Sequence, residues 1–141
     1  LEETDEGGNG DSLVVLLEAD CDQDGSSDWR FLFTGDAEKD EIGMLCDSGA
    51  CGNIDVLKVG HHGSRVCLDS DLAALLDPEI ALISVGAHNR YGHPSDEALE
   101  ALAEADASVL RTDEEGCVEL KYNASQIDVT TQNGRHLVLR K

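Results

Sequence analysis

The chain has no apolar run that approaches the ~18–20 residues needed to cross a bilayer, so its sequence predicts a soluble segment. It has no basic leader with an apolar core. Residues 1–6 (LEETDE) are acidic and polar, unlike a signal peptide, and the leading Leu predicts a processed or truncated chain whose address signal lies upstream. Bases are scarce: 10 Lys and Arg face 30 Asp and Glu, a formal net charge of −20. Such a surface repels polyanions at long range and counts against a passive nucleic-acid-binding module. The imbalance is uneven. Residues 1–55 hold 16 acids against Arg30 and Lys39, whereas residues 129–141 hold no acid and carry Arg135, Arg140 and Lys141. There is no Cys-x-x-Cys among the five cysteines at 21, 46, 51, 67 and 117, which excludes a zinc-ribbon framework. Their odd number leaves at least one thiol free or pairing between chains. Cys46 and Cys51 are either a bridge, in an oxidising compartment, or small buried hydrophobes. Walker A and Rossmann fingerprints are missing too, so no nucleotide cofactor is expected.

What is present is enough for one domain with a core: 141 residues, 40% of them apolar. Residues 12–18 (SLVVLLE) read as a strand buried on both faces, and residues 29–34 (WRFLFT) as a second strand forming a hairpin with it. Then strands at 54–59, 80–85 and 108–111 alternate with helices at 37–47, 70–76 and 96–105. That alternation predicts an α/β layered domain. Three short β segments follow, at 117–122, 126–130 and 136–140.

Polar clusters fall where strands end. WRFLFT runs into Gly35-Asp36, the next strand into Gly60-His61-His62-Gly63-Ser64, and the third into residues 86–93. Ligands collect outside the C-terminal ends of strands in layered α/β sheets, so Asp36, the His pair and His93 are expected to converge. Asp36 precedes a helix and is either its N-cap or a hard oxygen ligand for metal. Adjacent histidines on an extended backbone point in opposite directions. If one meets a metal, the other serves as support, substrate contact or packing. Gly60 and Gly63 permit tight turning and close approach of the backbone to a ligand, and Ser64 offers a hydroxyl to a phosphate. Asn89, Arg90, Tyr91, Gly92 and His93 lie just before a helix start, a natural anion position in which Arg90 and His93 suit a phosphate. The alternative there is a polar loop with Ser95 as helix cap. His88 and His136 read as surface or packing residues.

The hairpin turn carries a separate pattern. Asp20, Asp22 and Asp24 followed by Gly25 and Asp28 reproduce the D-x-D-x-D-G spacing of calcium loops with an acid at the ninth position. Phe31 replaces the closing Glu and no helices flank the loop, so an EF-hand is excluded. The choice is between a weak calcium-binding hairpin and an acidic solvated turn. The tetrapeptide GDSL at 10–13 matches an esterase signature, but here the strand follows the motif, no His has Asp three residues before it, and the match reads as coincidence.

Taken together, NGDSLVVLLE (9–18), FLFTGDAE (31–38), DVLKVGHHGSR (55–65) and ISVGAHNRYGHPS (83–95) resemble the metallo-β-lactamase superfamily, and within it the C-terminal domain of the ComEC competence-protein family. The resemblance continues through 96–105 into VLRTDEEGCVEL (109–120). It implies an αββα sandwich of which this chain, a single partial domain over 1–141 with an acidic hairpin loop at 20–28, is the C-terminal half. It implies that Asp36 bridges a two-metal site of zinc or manganese, and that His62, or its neighbour His61, is the last histidine ligand. Ser64, Asn89, Tyr91 and His93 become substrate-side residues, with His93 a rival ligand. It further implies a nuclease that attacks single-stranded DNA with a metal-bound hydroxide, attached to an upstream membrane channel and facing outside the cytoplasm. The family's first metal motif, an H-x-H-x-D-H-like cluster, is not found in these 141 residues, which leaves this chain alone short of ligands for a two-metal centre. The competing expectations are a small-molecule phosphodiesterase or lactonase of the same fold, and a non-catalytic domain that binds calcium or a partner.

Overall fold

Strands whose residues are apolar without alternation need cover on both faces, and residues 54–59 and 80–85 have that character. In the computed structural model, which describes residues 12–49 and 51–141, they lie in the middle of a five-stranded sheet. The acidic lead-in and Gly10-Asp11 of the GDSL tetrapeptide fall outside the described residues. The sheet runs in chain order: β1 (Val15–Ala19), β2 (Trp29–Phe33), β3 (Val56–Lys58), β4 (Ile80–Ile83) and β5 (Ser108–Arg111). β1 and β2 are antiparallel, and β2 through β5 are parallel. The parallel strands are linked by α1 (Lys39–Asp47), α2 (Ser70–Leu76) and α3 (Asp96–Glu104). A short α4 (Thr112–Glu115) follows β5, and an antiparallel sheet of β6 (Val118–Tyr122), β7 (Gln126–Thr131) and β8 (His136–Arg140) ends the chain.

Alternation within each strand divides the molecule into layers. Leu32, Leu57, Ala81 and Ile83 face the helices and join Ile42, Leu72, Leu76, Ala98 and Leu102 in one core. Phe31, Val56, Ile80 and Leu110 face the other way, onto Ile127 and Val129 of the second sheet. Trp29 belongs to that second core, 1% exposed, and its indole N–H donates to the Asn123 carbonyl at 2.5 Å. The order is therefore helices, sheet, sheet. It meets the α/β expectation, but a second helical layer outside the small sheet is not seen among the described residues.

One strand departs from its reading. β1 is not buried on both faces: Val14 and Leu16 pack toward the helices, while Val15 and Leu17 are 42% and 40% exposed. Their neighbour Phe33, paired with Val15 across the hairpin, is 41% exposed on the same side. The three-stranded sheet covers that face around Ala19, Trp29 and Phe31 and leaves Val15, Leu17 and Phe33 uncovered. The composition of residues 12–18 could not show this, because an edge strand at the rim of a sandwich is as apolar as a central one.

Candidate functional site

Three strand ends meet, and short backbone bonds fasten them. The His61 N–H donates to the Gly35 carbonyl at 3.1 Å, and the Ser95 N–H to the Gly63 carbonyl at 2.8 Å. The loops after β2, β3 and β4 are thereby tied to one another directly. Thr34, fully buried, donates its hydroxyl to the Lys58 carbonyl at 2.8 Å and adds a rivet between β2 and β3.

The segment between is wound tightly. Gly60–Gly63 forms a 3₁₀-like turn in which His61 (φ 45°, ψ 41°), His62 (φ 56°, ψ 24°) and Gly63 (φ 79°) are all left-handed. Two consecutive non-glycine residues in that region are uncommon and store strain, a pattern concentrated at functional sites. This corrects the expectation of an extended backbone with opposed histidines. It also gives both glycines a steric reason. A Cβ at Gly60 would sit 2.6 Å from the Ala37 carbonyl oxygen, and one at Gly63 would sit 2.7 Å from Pro94 Cβ.

The turn aims His62 at Asp36. Its Nδ1 lies 2.7 Å from the Ser84 carbonyl, a contact in which this nitrogen donates, and Nε2 lies 3.8 Å from Asp36 Oδ1. A hydrogen bond from Nδ1 to a backbone carbonyl fixes the tautomer and presents the Nε2 lone pair outward, the arrangement that supports histidine ligands. The 3.8 Å separation is too long for a hydrogen bond. It is a gap that two ligands each ~2.0–2.2 Å from a shared cation can span. Both side chains are about half exposed, 51% and 52%. Asp36 is not a helix cap: the N-cap of α1 is Glu38, in a reciprocal capping box with Glu41. The structural alternative for Asp36 therefore falls away.

His93 closes the group from the third loop. Its ring meets His61 edge-on at 5.8 Å and stacks under Tyr91 at 5.9 Å. Burial, and then the neighbouring His61 and His62, hold its pKa below the usual histidine value, which favours the neutral imidazole needed of a ligand or base. His62, Val85, Gly86, Asn89, Tyr91 and His93 line a cleft of about 190 Å³. That is room for a phosphate-sized group and less than the ~300 Å³ at which ordinary ligand pockets begin.

The remaining predicted residues divide. Asn89 is occupied in holding its own loop: its amide donates to the Gly86 and His93 carbonyls and its Oδ1 accepts from the Tyr91 and His93 N–H groups. It positions His93 and Tyr91 and has little left for a substrate. Tyr91 is 83% exposed, and Arg90 is exposed beside it. Ser64 is 4% exposed and its buried hydroxyl has no hydrogen-bond partner among the described residues, so it is not at the cleft surface. Ser95 caps α3, accepting from the Ala98 N–H. Arg65 lies in a groove with Glu97, Glu100 and Glu104, and the Lys58 ammonium donates to the Val59 carbonyl at 2.7 Å. Sequence reasoning missed the Ser84 carbonyl and the Pro94 seat. Their positions at a strand end and before a cap were visible, but a backbone acceptor leaves no residue-type signal.

Beneath the site, burial pushes the Cys67 thiol up to about 11 from an ordinary 9.0. The folded chain keeps this proton where the unfolded chain loses it. Its stabilisation is therefore full below pH ~9 and is lost as pH rises toward 11, on the order of 2 kcal/mol. Urea midpoints at pH 8 and pH 10.5 should differ in the native chain, and by less in Cys67→Ala.

At the far end of β2, Asp20, Asp22 and Asp28 each bring a carboxylate oxygen within 4.8 Å of the others. Asp24 does not join them. It accepts from the Ser26 N–H and hydroxyl instead. Backbone amides already engage the converging acids: those of Asp24 and Gly25 on Asp20, of Asp24 on Asp22, and of Cys21 on Asp28. The calcium-like spacing thus folds a self-supported acidic turn. It is the only group of three such donors among the described residues, and Asp36 and His62 have no third partner in that sense.

A crossed α/β sheet whose strand ends bring a carboxylate and histidines together defines a class of layered α/β proteins, and comparison with known sequences narrows it. The chain is 37% identical over 114 residues to ComE operon protein 3 of Bacillus subtilis, and 31% identical over 121 residues to Recombination protein 2 of Haemophilus influenzae. It is 32% identical over 89 residues to Competence protein ComA of Neisseria gonorrhoeae. These matches cover 81%, 86% and 62% of this chain but only 14%, 14% and 13% of the relatives, so the chain spans about a seventh of their length. It is homologous to one segment of a competence-protein family. No family model and no solved structure matches it. No helix among the described residues is long and apolar enough to cross a membrane.

Proposed function

We propose that this chain is part of a metal-dependent phosphodiesterase or nuclease domain of a DNA-uptake competence protein. Its fold would be one half of a metallo-β-lactamase-like sandwich, and single-stranded DNA its substrate. The observation that carries the reading is the pairing of His62 with Asp36: Nδ1 held by the Ser84 carbonyl, Nε2 turned to the carboxylate across 3.8 Å. The donor set, one hard oxygen and imidazole nitrogen, suits zinc or manganese. Asp36 and His62 would hold the ion, with His93, edge-on to His61, as a further candidate donor. A divalent ion there supplies Lewis-acid polarisation of a phosphoryl oxygen and acidifies water. The chain's own contribution is placement. Asn89 fixes the loop that carries His93, and the cleft under Tyr91 takes one phosphate, with the tyrosine ring free to stack on a base.

On this reading the domain is tethered to a membrane channel formed by other parts of the longer polypeptide and works outside the cytoplasm. The names of the relatives support the setting in competence, and the −20 charge requires the ion to draw the substrate in. The test uses the longer protein that contains this segment. Cleavage of end-labelled single-stranded DNA is measured with manganese or zinc, with and without chelator, across a salt series. Metal-dependent, salt-sensitive cleavage is expected. Hydrolysis of small phosphodiesters or lactones with DNA untouched would change the substrate class, and no metal-dependent hydrolysis of any of them would overturn the proposal.

A further inference from the structure

The five cysteines occupy three kinds of place. Cys21 and Cys117 are exposed, Cys67 is buried under the histidine turn, and Cys46 and Cys51 lie half-buried beside one another. The last two lie close enough for Cys51 to act on the Cys46 thiol, and both pack against the helix-side core. Cys46 sits in the last turn of α1. The chain then reverses: the Ser48 N–H returns to the Met44 carbonyl and the Gly49 N–H to the Cys46 carbonyl at 2.9 Å. Gly49 (φ 83°) and Gly52 (φ 127°) take conformations closed to other residues, and nothing lies within 4 Å of where their Cβ atoms would be. The reversal is made in open space by glycines, and its effect is to bring position 51 back onto position 46. The Gly52 carbonyl is then held by the Arg30 guanidinium, which ties the returning strand to β2.

We propose that Cys46 and Cys51 form a redox pair that closes into an intramolecular disulfide on meeting a disulfide oxidant, either a low-molecular-weight disulfide or the oxidised active site of a thiol oxidoreductase. Two cysteines five residues apart, brought back onto the same core by the reversal after α1, are within the reach a disulfide requires. Burial, and then the adjacent Cys51, push the Cys46 thiol up to about 12, so it is held protonated. Either thiol can attack first, Cys51 for example. Its sulfur displaces one half of the oxidant as a thiol, which carries away the Cys51 proton, and leaves a mixed disulfide on Cys51. The Cys46 sulfur then attacks the Cys51 sulfur, and the second half leaves as a thiol with the Cys46 proton. Two protein thiols are oxidised, one oxidant disulfide is reduced to two thiols, and no other reactant is needed. The closed ring fixes the end of α1 to the start of β3.

The test uses the full chain carrying Cys21→Ser and Cys117→Ser, which removes the two exposed thiols and leaves three of the five. After incubation with oxidised glutathione and acid quench, thiols titrated in denaturant should fall from three to one. The mass should drop by ~2 Da, a peptide linking 46 to 51 should appear, and the melting temperature should rise by a few degrees, about 3–6 °C. Adding Cys46→Ser should abolish the link and leave glutathione on Cys51. A count that stays at three overturns the proposal, as does a glutathione adduct on Cys51 that persists with Cys46 intact.

Discussion

Replacing Asp36 with alanine in the longer protein is expected to lower metal-dependent hydrolysis by more than ~100-fold and to reduce bound metal in parallel. Losing a residue that only supports a ligand already costs 10–100-fold in metal affinity or activity, and on the proposed function Asp36 is a ligand itself. Stability should stay within about 0.5 kcal/mol, because the side chain is half exposed and caps no helix. His62→Ala should behave alike, whereas His88→Ala, on the exposed part of the third loop, should change neither quantity. Metal content measured beside activity separates the cases. If Asp36→Ala keeps both, the carboxylate is a surface acid and the site assignment fails. If it keeps its metal but loses activity, Asp36 acts on substrate and another residue is the ligand.

Gly63→Ala should be among the most damaging single-methyl changes at the described residues. The new Cβ would lie 2.7 Å from Pro94 Cβ and 3.2 Å from Pro94 Cα, and backbone cannot yield as a flexible side chain can. The left-handed φ of 79° adds about 1–2 kcal/mol for any residue with a Cβ, and overpacking adds about 1–3 kcal/mol. A loss of roughly 2–5 kcal/mol follows, readable as a fall in urea midpoint with unchanged slope. Activity should fall further than stability, since any shift at Gly63 moves its carbonyl from Ser95 and its neighbour His62 from Asp36. Gly86→Ala serves as the comparison, because nothing lies within 4 Å of its added Cβ.

Much of this was readable beforehand, and the misses share a cause. The alternation of 29–34, 54–59, 70–76 and 80–85 specified parallel strands and helices because an apolar run without period 2 has few other places to go. The convergence of Asp36, His62 and His93 followed from topology, as strand ends in a parallel sheet share one side. What could not be read was local backbone. The left-handed turn at His61-His62 arises from the space between Ala37 and Pro94, which no spacing encodes. The role of Asn89 depends on four bonds within its loop, and the burial of Ser64 is set by the packing around the turn rather than by its residue type. For Val15 and Leu17, residue type recorded affinity for a core but not whether the second sheet reached them.

The ties among the three loops also govern where this chain can change length. Gly35 to His61 and Gly63 to Ser95 are single backbone bonds between strand ends in fixed neighbouring positions. A residue inserted between 34 and 36, or between 60 and 63, would break one of them and leave the others without register. The hairpin at 20–28 lies at the opposite end of β2, a strand of five residues that spans ~16 Å at ~3.3 Å per residue. It is held by its own aspartates, so it can lengthen or shorten without the site sensing it. Among relatives of this chain, insertions should gather at the 20–28 end of the sheet and be missing from the end where the strands finish.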